Sequence, residues 1–341
     1  MATSTEQSQR LDLTDESQNP RCSLSCFINN NRRALSAFLV LTALMLVFLI
    51  ASPQVFLTPL IYIAISRTLP MFIILAAALV FVIASGEIDL SFGSIVGLAG
   101  WAFALTLEAG LSPYLGVLFA VIAGALAGFI NGLIVTRLGL SSLLSTLGMS
   151  FLIRGLINVG TQGEGTPVTF LRDTPFYNTF IGSIGGFPVH MLWALGFVVV
   201  SLLLFNYHKF GARISCVGDN LESSREMGIN VATIKTLAFV YVGIASAIVA
   251  IHLTLTNQIF YPNSGEGLLM VVLAAVFVGG MPGWGGIGTI MGATLGACIV
   301  GVITSGIVAA GIPHLFTEFF YGLIIIFALM GHKLNEPRYR Y

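Results

Sequence analysis

An all-α, polytopic membrane fold is what this sequence predicts, and three observations predict it. The chain of 341 residues is 56% hydrophobic and only 9% charged, whereas soluble domains carry about a quarter charged residues. Its mean hydropathy is +0.93. So few charges cannot clothe a protein of this size in water, and lipid must be the solvent for much of its surface. Second, apolar stretches of membrane-crossing length, about 30 Å of hydrocarbon, recur along the chain. Ten are read, at residues 34–51, 60–84, 92–107, 114–136, 140–160, 187–207, 234–255, 268–280, 286–311 and 314–330. Third, alternating these spans from a cytoplasmic N-terminus puts twelve of the fifteen Lys and Arg on one face, as the positive-inside rule requires. Arg172 alone falls in an outer loop, and Arg67 and Arg154 fall within spans. Both termini are therefore expected in the cytoplasm.

The leader, residues 1–33, is polar and carries Glu6, Asp12, Asp15 and Glu16. It lacks the basic start and short apolar core of a cleaved signal peptide, so the first span is expected to act as an uncleaved anchor behind a disordered cytoplasmic tail. Residues 34–331 form the transmembrane domain, and 332–341 a second cytoplasmic tail. Of the four cysteines, Cys22, Cys26 and Cys216 fall on the reducing side, where disulfides rarely persist. Cys22 and Cys26 have ligand-like spacing, but no second pair or nearby histidine completes a metal site. No metal or other cofactor is expected.

Several chemistries are excluded by what is missing. The lysines are Lys209, Lys235 and Lys333, and none follows a glycine, so no phosphate-cradling G-x-x-x-x-G-K-[ST] loop exists. The five histidines are dispersed, and no nucleophile–base pair is apparent. Gly283, Gly285 and Gly288 spell a G-x-G-x-x-G after an apolar run. The dinucleotide fingerprint also needs an acidic residue about twenty positions on, at a second strand. None occurs before Glu318. The zero net charge gives no indication of a nucleic-acid partner.

Two glycine ladders run at helical spacing: Gly124, Gly128 and Gly132 in the fourth span, and Gly288, Gly292 and Gly296 in the ninth. Small residues at every fourth position let membrane helices approach closely, so both are read as packing faces. Two polar breaks interrupt the apolar runs. One is Ser85-Gly86-Glu87-Ile88-Asp89-Leu90-Ser91, and the other is Gly279-Gly280-Met281-Pro282-Gly283-Trp284-Gly285-Gly286. Each precedes a similar G-[ST]-I-x-G run, suggesting an internal repeat, and paired broken helices are a transporter signature. Ionisable residues at membrane depth cost about 3 kcal/mol on insertion scales and demand a reason. Glu87, Asp89 and Arg154, with Ser91 and Asn131 beside them, are candidates for a translocation pathway or gate. A structural ion pair or backbone cap remains open for the same residues, and Glu318 is read as interfacial.

The Ile88-Asp89-Leu90-Ser91-Phe92-Gly93-Ser94 stretch resembles the I-D-L-S-V-G-S motif of the ribose-type permeases of bacterial ABC importers. Further segments resemble that family in the same order. They are Asn131-Gly132 with Val135-Thr136, and Thr146-Leu147-Gly148 followed by Leu152, Arg154 and Gly155. Then come Gly211, Arg213, Gly218, Asn220, Glu222 and Gly228-Ile229-Asn230-Val231, and lastly Gly279-Gly280 with Gly285-Gly286 and Gly288. Together they cover about residues 60–330. The resemblance implies a permease of the bacterial inner membrane that passes a monosaccharide or related polyol from a periplasmic binding protein to the cytoplasm. It also implies a separate ATPase subunit and a second permease subunit. The segment from Gly218 to Gly228 is expected to couple to that ATPase, with Asn220 or Asp219 as a helix cap and Leu221, Glu222, Arg225 and Met227 on the helix. Departures from the family pattern are Glu87 for a glycine, Ser223 for an alanine, Pro282 and Trp284 in the glycine loop, and Leu269 and Val271 after the P-x-x-G-x-G loop. They leave the solute open. Relatives by fold carry nucleosides, branched-chain amino acids and a furanose signalling molecule, and an ion-coupled secondary transporter is the alternative from another class.

Overall fold

The computed structural model describes residues 32–334 apart from 310 and 312, so most of each terminal tail lies outside the described residues. Fourteen α-helices are found among the described residues. The chain enters through α1 (Arg32–Ala51) and the short α2 (Pro53–Phe56), then runs through α3 (Pro59–Ala84), α4 (Phe92–Glu108), α5 (Pro113–Arg137) and α6 (Ser142–Thr161). A cap follows, made of β1 (Thr166–Pro167), α7 (Pro175–Phe180) and the hairpin β2 (Ser183–Ile184) and β3 (Phe187–Pro188). Next come α8 (Val189–Leu202) with a π-helical turn at Leu203–Tyr207, α9 (Lys209–Asp219), α10 (Leu221–Glu226) and α11 (Val231–Asn257). β4 (Ile259–Phe260), α12 (Leu268–Val278), α13 (Ile290–Ala309) and α14 (Thr317–Leu334) complete the fold. Proline opens α2, α3, α5 and α7, at the turn where a missing N–H costs nothing.

Each of the ten apolar stretches is occupied by one helix: α1, α3, α4, α5, α6, α8, α11, α12, α13 and α14. The last continues through Leu334, beyond the expected start of a tail at 332. The centre of the bundle is α3, which packs against α8, α11, α12 and α13, and every residue from Ile73 to Ser85 is buried. Such a helix, apolar all round, sits inside other helices rather than against lipid. The Gly124, Gly128 and Gly132 ladder of α5 lies on the backbone of α11 at Gly243, Phe239 and Thr236. In α13, Gly292 and Gly296 lie on Gly279 and Ala275, at the end of α12, while Gly288 meets Val80, Phe205 and Met281. By contrast α6 and α8 expose Leu144, Phe151, Leu152, Val159, Leu195 and Val199.

Helix length exposes an irregularity that the apolar pattern hides. The 11 residues of α12 reach only about 16 Å at 1.5 Å per residue, half the hydrocarbon thickness. The missing length is supplied by residues 258–267, which the sequence places in an outer connection. They turn back instead. Gln258 takes a left-handed conformation (φ 57°), β4 pairs antiparallel with β1, and the chain then descends along the glycine face of α4. Phe260 lies against Gly100, Pro262 and Ser264 against Gly97, and Gly265 against Gly93. Seven residues along a helix is a descent of about 10 Å, so α12 begins near the opposite end of α4 from Glu108.

Candidate functional site

The first break, between α3 and α4, is non-helical backbone whose donors are met one by one. Ser142 Oγ accepts from the Ile88 N–H (3.2 Å), and Thr146 Oγ1 from the Leu90 N–H (3.0 Å). Both acceptors stand on α6. Asp89 Oδ1 accepts from the Ser91 N–H (2.7 Å) and from Ser91 Oγ (2.6 Å), and Asn131 Nδ2 of α5 donates to the same hydroxyl oxygen (2.6 Å). The chain Asn131–Ser91–Asp89 therefore joins the middle of one helix to the start of another. All three residues are at most 1% exposed. Rather than lining an open passage in this conformation, they hold the broken end of α4 in place.

Glu87 is held in an ion pair. Lys235 Nζ, on α11, donates to Glu87 Oε1 at 2.5 Å. The pair lies on the wall of a cavity of about 420 Å³ shared with Leu221, Arg225, Ile229 and Val231, which places it beside α10 at one end of the bundle. The sequence showed the anion but not its partner, 148 positions away. Because Lys235 is only 12% exposed, removing its counter-ion leaves a mostly buried cation. Glu87→Gly is expected to insert normally and to lower thermal stability by about 3 kcal/mol, the scale for leaving one partner of a largely buried ion pair uncompensated. Lys235→Met together with Glu87→Gly should recover part of that loss, which a double-mutant cycle in detergent measures.

The segment between α8 and α11 folds as two helices. α9 is amphipathic, with Gly211, Ile214 and Val217 buried. Asn220 caps α10 by accepting from the Ser223 N–H (3.0 Å), and Gly228 stops it with φ +76°. Leu221 packs on the core, Ser224 is buried, and Glu222, Arg225 and Met227 are exposed. The end of α9 is wedged between the two breaks. A side chain on Gly218 would run into the Ala84 carbonyl at the end of α3 and into Gly286 of the second break. The Gly286 N–H donates to that same carbonyl (2.9 Å), while Gly285 sits against the backbone of Gly86 and Gly286 against Asp219. Three backbones meet here with no side chain between them. Sequence reasoning found each glycine in a separate motif but had no means of placing them in one contact.

Arg154 lies on α6, about 18 Å from the start of that helix, and its Nη1 donates to the Pro262 carbonyl of the re-entrant segment (3.2 Å). The Glu266 carboxylate attracts the guanidinium without forming an ion pair with it. Glu266 was not picked out from the sequence. Its signal was the P-x-x-G-x-G spacing from Pro262 to Gly267, which marks the bend.

With this geometry in view, comparison with known proteins is decisive. Residues 61–329 match the family described as the branched-chain amino acid transport system permease component. This chain belongs to that permease family. It is 34% identical over 310 residues to the autoinducer 2 import system permease protein LsrC of Yersinia pseudotuberculosis serotype O:3 (strain YPIII), covering 89% of this chain and 85% of the relative. To the protein of the same name from Yersinia enterocolitica serotype O:8 / biotype 1B it is 35% identical over 313 residues, covering 89% and 83%. The permease is a multi-pass protein of the inner membrane and the membrane-spanning subunit of an ABC-type importer. The ribose-type resemblance read from its motifs lies within the matched region.

Proposed function

We propose that this permease passes a monosaccharide-like polyol from a periplasmic binding protein into the cytoplasm, paired with a second permease subunit and driven by a separate ATPase docked on α9 and α10. Autoinducer 2, named for its relatives, is the first solute to assay. The chain contributes no covalent chemistry. It holds at least two arrangements of its helices, and ATP-driven closure of the partner shifts their populations. The observation that supports this most strongly is the glycine junction at Gly218. A push on α10 reaches both helix breaks through backbone alone, with no flexible side chain to absorb it. Gly218, Asn220, Leu221, Glu222, Arg225, Met227 and Gly228 form the coupling element. Asp89, Ser91 and Asn131 brace the gate, and Arg154 belongs to the pathway. Both termini face the cytoplasm.

The ion-coupled alternative loses two of its acidic groups here: Glu87 is neutralised by Lys235 and Asp89 is shut in.

Docking is tested on exposed residues, whose substitution leaves the bundle intact. Arg225→Glu is expected to weaken co-purification of the ATPase about thirtyfold, corresponding to roughly 2 kcal/mol for an unpaired charge at a desolvated contact. Met227→Asp, 63% exposed in the isolated chain, should act in the same direction. Both variants should insert normally. Wild-type association and solute-stimulated ATP hydrolysis in both would reduce α10 to a connector.

A further inference from the structure

The segment 258–267 is irregular backbone within the membrane. Such backbone survives at depth only where protein buries it or where it borders water. One side is buried: Phe260, Pro262 and Gly265 are inaccessible, pressed on the glycine face of α4. The other side carries Tyr261, Asn263, Glu266 and Gly267, all exposed. Arg154 stands half-buried beside them on α6. An amide, a carboxylate and a guanidinium on one face cannot be turned to hydrocarbon at about 3 kcal/mol per charge. This face therefore meets water or protein rather than lipid.

We propose that this face lines a water-filled passage in which Arg154, Asn263 and Glu266 form a solute-binding station, selective for neutral polyhydroxylated molecules. The inference rests on the permease reading above and adds to it the residues that touch the solute. Two features set the chemistry. The guanidinium and the Glu266 carboxylate attract one another, yet no nitrogen–oxygen pair between them lies within 4 Å. A hydroxyl group bridges such a gap by accepting from Arg154 and donating to Glu266, and neighbouring hydroxyls of a polyol satisfy both groups and the Asn263 amide together. The opposite charges also cancel. An anionic solute meets Glu266, a cationic one meets Arg154, and a neutral solute pays neither penalty. The station lies just before the first turn of α12, and discontinuous helices near the membrane midplane are where transporters of other folds hold their solutes.

Two measurements separate this inference from the reading on which it rests. In a chain whose cysteines are replaced, Asn263→Cys and Glu266→Cys are labelled with a water-soluble, membrane-impermeant thiol reagent. Reaction at both positions, slowed when the reagent is replaced by a lipid-partitioning one, is expected. Protection at both from either side of the membrane overturns the passage, whatever the solute. Uptake is then measured in cells that hold the complete importer, with autoinducer 2 and ribose as the probes. Glu266→Gln and Asn263→Ala should each raise KM about tenfold or more for an imported probe, with insertion and ATPase association unchanged. Glu266→Gln should also make uptake sensitive to a sugar acid that leaves the wild type unaffected. Wild-type KM in both variants, or equal inhibition of wild type and Glu266→Gln, overturns the station. Labelled cysteines with neither probe imported would strike at the proposed solute and leave the water-lined face standing.

Discussion

Gly218→Val is expected to abolish solute accumulation. The added side chain meets the Ala84 carbonyl on one side and the Gly286 backbone on the other. Neither neighbour has a rotamer to change, so relief must come from moving the end of α3, the second break or α9. Overpacking of ordinary cores costs about 1–3 kcal/mol, and backbone on every side places this site at the upper end or beyond. The cost falls on the contact between the coupling helices and both helix breaks. The variant should therefore be inserted but uncoupled: ATPase bound through α10 would hydrolyse ATP without transport. Measuring hydrolysis and uptake on the same reconstituted complex separates this outcome from simple misfolding. Full coupling in Gly218→Val would mean that the junction transmits nothing. Gly110, where a Cβ meets nothing within 4 Å, supplies the control. Its positive φ makes Gly110→Ala mildly strained, by about 1 kcal/mol, without touching the breaks.

The second large effect is expected at Asp89. Removing its carboxylate by Asp89→Ala takes the acceptor from the Ser91 N–H and hydroxyl in a site with no solvent. An unsatisfied buried donor costs about 1–3 kcal/mol, and two are created at the point where α4 must start. Transport should fall at least tenfold and the melting temperature in detergent should drop. Asp89→Asn is the informative companion, because its side-chain oxygen still accepts from both donors. It should retain most of the stability and a large part of the transport. If Asp89→Asn were as inactive as Asp89→Ala while folding normally, the charge itself would be required, and Asp89 would act in the pathway rather than only as a brace. Asn131→Ala should produce a smaller version of the alanine defect, since it removes the donor that links Ser91 to α5.

How much of this was legible beforehand differs from element to element. The ten apolar stretches that helices occupy could be read because lipid imposes a length and a polarity that composition records directly, and among the described residues six of those helices are long and apolar enough to cross a membrane. The start of α10 at Asn220 and its stop at Gly228 follow from local backbone chemistry, and the two glycine ladders follow from helical spacing. None of these needs a distant residue. The short eighth span was visible too, but an apolar count cannot say whether the remaining depth is crossed by helix or by a returning loop.

The sequence by itself determined that this chain is a helical membrane protein, that it lacks an ATP-binding loop of its own, and which short segments break its helices. Only the tertiary structure decided what those breaks do. Glu87 finds Lys235 and Arg154 finds Pro262, each more than 100 positions away. Gly86, Gly218 and Gly285 converge from three separate motifs into one contact. The physical reason is common to all of them. A buried polar group or a missing side chain shows that a partner or a close approach must exist, because leaving the one unsatisfied or the other unfilled is costly. The identity of that partner depends on how the whole bundle closes, and no local pattern carries it.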